Sequence, residues 1–570
     1  MGDKNSNTSI HRFLHWERTQ PDAIYLTQPT SDGEVQDYTW REVGNQARRM
    51  AACLQSLQLP QGSNIAILGK NSAHWIIADL AIWMTGHISV PLYPTMNAET
   101  ARYVLEHAGV RLLFAGRLDN WLEIREAIPA HMPVIALPMS PAAEARQWDA
   151  MIAGVQPLWD VHLPAPADLA TIIYTSGTTG RPKGVMHSFG GIAAYAMMCA
   201  DYCGFGTSDR LLSYLPLAHT AERSFVETNS LFHGCRVYFN DSLETFAQDL
   251  RRARPTVFAS MPRLWTRFYQ GACANLSAAQ LELLATRSPA ADAVKKQVLA
   301  MLGLDAVRAA FTGSAPLPVE IVGWYRDLGL ELLDVYGMTE DFCYSHYSRP
   351  GQVRLGYVGQ PLPGVQSRIA NNGEIQVKSP AQMMGYFRQP ELTAESMTGD
   401  GYFKTGDRGE FDEAGRLKIT GRVKELFKTS KGKYVSPAPI ENRLVHPKVE
   451  AVCVTGPGQP QPFALMMLSP AGREQLREPR SRDLLVAELD SLLDSVNASL
   501  ENHEKLKYAV IVHDLWSVEN GFLTATMKIR REVIEDRYLK KAQEWSAMGR
   551  TVIVDADGSK DGASLVDDTN

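Results

Sequence analysis

The chain has 570 residues, 45% apolar and 21% charged, with a formal net charge of −6. That length exceeds what a single hydrophobic core organises, so two or more domains are expected, and the ordinary composition is that of a soluble globular protein. The mildly acidic balance excludes the basic footprint that nucleic acid requires.

The first residues, Met1 to Thr8, are polar and lack the apolar core of a signal peptide, so residues 1–9 read as a polar tail and the location as cytoplasmic. Seven dispersed cysteines read as reduced thiols of an intracellular protein. Cys199 and Cys203 are spaced i, i+4 with no second His or Cys pair nearby in sequence, which argues against zinc. Periodicity predicts a helix over Arg41 to Leu57, a strand over Asn64 to Leu68, a helix over Ala73 to Met84 and a strand over Arg111 to Ala115. The apolar window from Trp75 to Leu92 contains Asp79, Gly86 and His87, so it reads as a buried helix running into a strand rather than a membrane span. Strands alternating with helices predict an α/β fold with largely parallel sheets covered by helices.

Leu169 to Tyr174 is a short apolar run expected to be a buried strand. It enters Thr175-Ser176-Gly177-Thr178-Thr179-Gly180-Arg181-Pro182-Lys183-Gly184. The glycines let successive N–H groups turn toward one anion, the hydroxyls add donors, and Arg181 and Lys183 add charge. A polyphosphate is the ligand this chemistry fits. The Gly-Lys-Ser/Thr of a P-loop is absent from the segment, which removes that class.

This decapeptide resembles the phosphate-binding signature of the adenylate-forming enzymes, which include acyl-CoA synthetases, luciferases and the adenylation domains of peptide synthetases. The resemblance implies a large N-terminal domain of mixed, largely parallel sheets and a small mobile α+β C-terminal domain. Further motifs should follow in a fixed order, and they do. His87 to Thr95 and Pro255 to Trp265 are similar to segments of long-chain acyl-CoA synthetases. After a helix over Gly190 to Tyr202, the segment from Leu212 is expected to be a strand ending on His219, followed by Glu222-Arg223. The resemblance implies that His219 lies where acyl group and adenylate meet. A short strand, Ala309 to Phe311, runs into Thr312-Gly313-Ser314-Ala315, implied to lie along the adenine. The apolar run Leu328 to Leu333 leads to Asp334-Val335-Tyr336-Gly337-Met338-Thr339-Glu340 at a strand's C-terminal end, where α/β sheets bind nucleotides. Tyr336 is implied to stack on adenine, Thr339 to meet the α-phosphate, and Glu340 to ligate Mg²⁺.

Asp407, in Thr405-Gly406-Asp407, matches the ribose-binding carboxylate, and Arg422 matches the arginine on ribose and phosphate. Lys424 stands at the position about which the C-terminal domain swivels. Lys431, Gly432 and Lys433 are implied to meet coenzyme A, within a run of Lys418, Arg422, Lys424, Lys428, Lys431 and Lys433 that also reads as a basic surface strip. Val449 to Thr455 and Phe463 to Leu468 are expected strands, and Arg482 to Glu501 a helix. Lys528 matches the catalytic lysine of adenylation. Two departures stand out: Ala525 replaces a usual proline, and Lys431 replaces a glycine of some relatives. The domains are expected at 10–422 and 423–547, followed by an acidic, solvated tail over 548–570.

The resemblance implies ATP-dependent formation of an acyl-adenylate with release of pyrophosphate, then transfer to coenzyme A, with a long-chain fatty acid as the substrate and Mg²⁺ as the metal. Two anions must meet, so the chemistry needs charge neutralisation and positioning rather than a protein nucleophile. Lys183, Thr339, Glu340 and Lys528 would supply that field. The partners are therefore small molecules, with no nucleic acid, and peripheral membrane contact is compatible with an acid collected from a bilayer. The rival readings are an acyl-AMP ligase that loads a carrier protein, a medium-chain or aryl acid ligase, and a non-catalytic nucleotide-binding scaffold.

Overall fold

A computed structural model describes residues 7–30, 33–175, 181–284, 286, 288–313, 317–517, 520–524 and 528–555. The chain divides into two compact units. The first comprises the residues up to Arg368 with Gln376–Lys404 and Asp412–Leu417; the second comprises Ile369–Ile375, Thr405–Phe411 and the chain from Lys418 onward. The second unit thus takes in two separate runs and residues 418–422 upstream of the expected boundary. Local bonding accounts for this: Gly406 N–H donates to Glu374 Oε1 at 3.0 Å, and Val423 N–H donates to the Gly406 carbonyl at 2.8 Å.

In the first unit the largest sheet runs, among the described residues, Gly385–Tyr386, Lys183–Ser188, Leu169–Thr175, Ile88–Leu92, Asn64–Leu68, Leu112–Ala115, Val134–Ala136 and Arg146–Gln147. From Leu169–Thr175 onward each pairing is parallel, whereas the first two pairings are antiparallel. The predicted Arg41–Leu57 helix is Trp40–Ser56, and its start follows from the sequence: Thr39 and Glu42 form a reciprocal capping box. The Ala73–Met84 helix is buried along its whole length, in keeping with its largely apolar composition, and leads into the Ile88–Leu92 strand. Trp40, Trp75, Phe114 and Trp148 belong to the core these elements share.

A second sheet pairs Val257–Ser260, Ala309–Gly313 and Leu332–Tyr336 in parallel, then adds His346–Tyr347 and Gln360–Pro361 antiparallel. Only the end of the apolar run 328–333 is strand. Leu328 caps the preceding helix and Gly329 turns with φ +88°, a conformation open to glycine. A third sheet contains Arg210–Ser213, and here an expectation fails. That strand stops at Ser213 and does not reach His219: the Tyr214 N–H is taken by Glu222 Oε1 at 3.1 Å, and Pro216 further on has no N–H for a ladder. His219 instead caps the Thr220–Glu222 turn, its Nδ1 accepting the Ala221 N–H at 3.0 Å.

The second unit is built on Val449–Thr455, Phe463–Leu468, Ala509–Val512 and Val552–Val554. Its long helix is Pro479–Ala498, three residues upstream of the predicted start, with Pro479 in the first turn where its missing N–H costs nothing. The acidic tail expected from residue 548 is also corrected. Val552–Val554 pairs in parallel with Ala509–Ile511, and the buried Asp555 meets Lys541 at 3.1 Å. Apolar Val552-Ile553-Val554 outweighs the acidity around it. Residues 556–570 lie outside the described residues. Among the described residues no helix is long and apolar enough to cross a membrane.

Candidate active site: a lysine, a tyrosine and a carboxylate in the first unit

The strand Leu169–Thr175 and the strand Lys183–Ser188 form an antiparallel pair in which Thr175 lies opposite Lys183. The segment between them therefore begins and ends at one point. Ser176, Gly177, Thr178, Thr179 and Gly180 lie outside the described residues, as do Ser314 and Ala315.

Lys183 Nζ lies 3.4 Å from Glu340 Oε1 and donates to the Tyr386 hydroxyl at 2.8 Å. Tyr386 in turn donates to the same Glu340 oxygen at 2.7 Å, and the ammonium stands 4.3 Å from the centre of its ring. Strand register imposes this closeness. Gly385–Tyr386 pairs with Met186 and Val185 of the lysine's own strand, and Met383 N–H donates to the Glu340 carbonyl at 2.8 Å. Burial and the adjacent Glu340 carboxylate push the Tyr386 phenol far above its usual value, so it stays a neutral donor at physiological pH.

Glu340 belongs to the Thr339–Asp341 turn that follows the Leu332–Tyr336 strand. Several groups hold the turn. Asp341, buried, accepts the Met338 N–H at 2.9 Å, and burial pushes its carboxyl up to about 7. His187 Nε2 bonds the Thr339 carbonyl at 2.8 Å. Burial lowers His187 to about 4, so the ring is neutral near pH 7 and, facing a carbonyl, carries its proton on Nε2. A side chain at Gly337 would bring Cβ to 2.7 Å from the Cys343 Cα, so this close approach requires glycine. Tyr336 ends its strand with its ring 6.1 Å from His346, and Gly313 ends the neighbouring parallel strand opposite Val335. Tyr336, Gly337, Thr339 and Glu340 are thus grouped with Gly313 at the C-terminal ends of two adjacent parallel strands, the place where open α/β sheets take ligands. His219 lies in the same unit, half-buried, with the Tyr93 ring edge-on at 6.3 Å.

A single hard carboxylate on a turn fits Mg²⁺, which takes one or two protein carboxylates and leaves its other positions to water and phosphate oxygens. Glu340, 12% exposed and already facing a cation, is of that kind.

In the second unit Asp407 Oδ1 lies 3.0 Å from Arg422 Nε, so the two expected ribose contacts are neighbours. Lys428 stands 5.7 Å from the ring of exposed Tyr434, across the tight pair Phe427–Lys428 and Tyr434–Val435. Lys431, Gly432 and Lys433 form its turn, with Gly432 at φ +78°, and Lys424 precedes it. Lys528 is exposed. Its N–H donates to Thr524 Oγ1 at 3.1 Å, its carbonyl accepts the Thr524 N–H at 2.8 Å, and Leu523 bridges Ile529.

Tyr386 and His187 were not singled out in the sequence. The only local signal for the first is the Gly385-Tyr386 pair within an apolar run; for the second, its place four residues beyond Lys183 on the same strand.

A family model described as AMP-binding enzyme matches residues 13–387, and one described as AMP-binding enzyme C-terminal domain matches residues 425–545. The chain is 32% identical to a long-chain-fatty-acid–CoA ligase, FadD15, of Mycobacterium bovis, over 94% of this chain and 96% of that protein. It is 29% identical to the peroxisomal long chain acyl-CoA synthetase 7 of Arabidopsis thaliana, over 91% and 83%. Among solved structures, ATP-bound MatB from Rhodopseudomonas palustris superposes with a TM-score of 0.72 at 25% identity, covering 94% of this chain and 99% of that one. The anthranilate CoA ligase AuaEII in complex with anthranoyl-AMP gives 0.74 at 20% identity, covering 93% and 97%.

Proposed function

Since the chain belongs to the AMP-binding enzyme family, we propose that it activates a long-chain fatty acid with ATP and transfers the acyl group to coenzyme A. The observation that carries this reading is the Lys183–Tyr386–Glu340 cluster beside the ends of two parallel strands. Similarity to long-chain ligases over nearly the whole chain supports the choice of acid and of thiol.

The residues divide the work. Thr175 and Lys183, with the hydroxyls and glycines of 176–180, bind the triphosphate. Gly313, Ser314, Ala315, Tyr336 and Gly337 bind the adenosine, and Thr339 meets the α-phosphate. Glu340 would hold Mg²⁺, which supplies charge neutralisation on the phosphates when bound. Asp407 and Arg422 take the ribose. Lys528 brings its ammonium to the carboxylate and α-phosphate, so that an acid oxygen attacks the α-phosphorus and pyrophosphate leaves. Rotation of the C-terminal domain about Lys424 then replaces Lys528 with the Lys431–Lys433 turn, and the coenzyme A thiol, losing its proton, attacks the acyl carbonyl so that the thioester forms and AMP leaves. Closure keeps water from the mixed anhydride.

The test is pyrophosphate and AMP release across acids from acetate to oleate, with and without coenzyme A. The reading expects turnover that depends on coenzyme A and peaks with long chains. A peak at short or aryl acids would overturn the acid; pyrophosphate without thioester would overturn the acceptor and favour a carrier-protein ligase. Silence with every acid would overturn the activity.

A further inference from the structure

The segment Tyr214–Ala218, which joins the Arg210–Ser213 strand to His219, has little regular structure of its own, yet two buried side chains fix it. Asn71, 7% exposed, donates from Nδ2 to Ser213 Oγ at 2.8 Å and to the Leu215 carbonyl at 2.6 Å. Its Oδ1 accepts the Leu217 N–H at 2.9 Å. Glu222, 2% exposed, accepts from the Ser213 hydroxyl at 2.8 Å and from the Tyr214 N–H at 3.1 Å through one oxygen. The backbone then closes on the histidine: His219 N–H donates to the Pro216 carbonyl at 2.8 Å, and the His219 carbonyl accepts from Glu222 and Arg223 N–H.

This clamp is itself anchored. Arg223 Nη2 meets Asp79 at 2.6 Å and Nη1 meets Glu227 at 3.5 Å, with all three side chains at most 2% exposed and the guanidinium against Trp75 and Trp83. The residues Arg223–Thr228 form a π-helical turn, a form that is rare and concentrates at functional sites. Burying three ionisable groups beside Glu222 costs desolvation free energy that apolar residues would avoid. Among the described residues Asp79 Oδ1, Arg223 Nη1 and Glu227 Oε1 make no hydrogen bond, so the anchor is held by ion pairing, whereas Asn71 and Glu222 bond the segment directly and specify its geometry. What this network specifies is the path of the chain into His219, whose Nδ1 is occupied by the Ala221 N–H, leaving the proton of the neutral ring on Nε2.

We propose that Asn71 and Glu222 are positioning residues that set the place and tautomer of His219 for the acyl group, with Arg223, Asp79 and Glu227 as their anchor. This rests on the reading of His219 as the residue beside the acyl-adenylate. The clamp acts on the acid and not on the nucleotide, because its bonds end on the His219 segment.

The experiment is a double-mutant cycle on the full chain. Glu222→Gln, Ser213→Ala, His219→Ala and the two doubles with His219→Ala are compared for acid-dependent pyrophosphate release and for melting temperature. Ser213→Ala deletes one hydroxyl and keeps the test open if Glu222→Gln does not fold. The expected result is a fall in kcat/KM for the acid of about threefold to thirtyfold for each clamp variant, with KM for ATP unchanged. That fall should vanish when His219 is already alanine, since residues acting through one group are non-additive. The same fall in both backgrounds would overturn the proposal, as it would mean a general loss of packing. A His219→Ala enzyme that handles the acid like wild type would overturn it too, at the level of His219, while acid-dependent turnover of the wild type leaves the proposed activity standing.

Discussion

Two cations carry the proposed chemistry, and the two units hold them in opposite ways. Lys183 lies on a strand, its ammonium against a tyrosine ring brought there by strand pairing and a carboxylate held on the Thr339–Asp341 turn. Lys528 is exposed, its backbone bonded to the hydroxyl and N–H of Thr524 beside the bridge from Leu523 to Ile529. An ammonium kept in place needs a partner to offset its desolvation, whereas one that serves a single step and then withdraws is cheapest kept in water. The difference teaches that fixed charge and delivered charge leave different structural marks.

Substitutions sharpen the contrast. Lys528→Ala should have the largest effect, a loss of about 10²–10³-fold in adenylation, typical of a group that meets charge only in the transition state. Its melting temperature should match the wild type, because an exposed side chain is removed; a large shift in melting would break the contrast. Glu340→Gln should follow, with pyrophosphate release reduced about tenfold to a hundredfold and half-saturation moved to higher Mg²⁺, read from a magnesium titration. Tyr386→Phe removes the hydroxyl that joins Lys183 to Glu340 but keeps the ring. A loss of about tenfold to a hundredfold in kcat/KM for ATP is expected, in keeping with ~1.5–3 kcal/mol for hydrogen bonds to charged groups, with KM for the acid unchanged.

The smallest effect concerns pH. His187 titrates at about 4 in the folded chain against 6.5 ordinarily, through burial and the nearby Arg223 charge, against which its bond to Thr339 acts. The unfolded chain therefore binds more protons between those values, and stability falls as pH drops from 6.5 toward 4, by at most about 1.4 kcal/mol per pH unit. His187→Gln, which keeps a donor for Thr339, should lose that component, so its melting temperature should drop less than the wild type's between pH 7 and pH 5. Equal drops would contradict the buried neutral histidine.

Much of the fold was legible because local and global demands agree. The runs 64–68, 73–84, 449–455 and 463–468 are strands or helices to the residue, each mostly apolar and followed by a polar or turn-forming neighbour. The reading failed where a short-range rule was overruled. A strand is expected to run from Leu212 to His219, but the side-chain bonds of Asn71 and Glu222 take the backbone groups of Tyr214, Leu215 and Leu217 out of any ladder. Glu340 and Lys183 were readable because each sits in a contiguous motif. Tyr386 was not, since 203 residues separate it from Lys183 and only the pairing of two strands brings them together. Asn71 lies 151 residues from Glu222, and no spacing rule links them.

The most direct test of the division between fixed and delivered charge is to give Lys528→Ala a synthetic long-chain acyl-adenylate and coenzyme A. Acyl-CoA should form at close to the wild-type rate while formation from ATP and free acid is lost. Loss of both reactions, or retention of both, would contradict a lysine that serves adenylation alone.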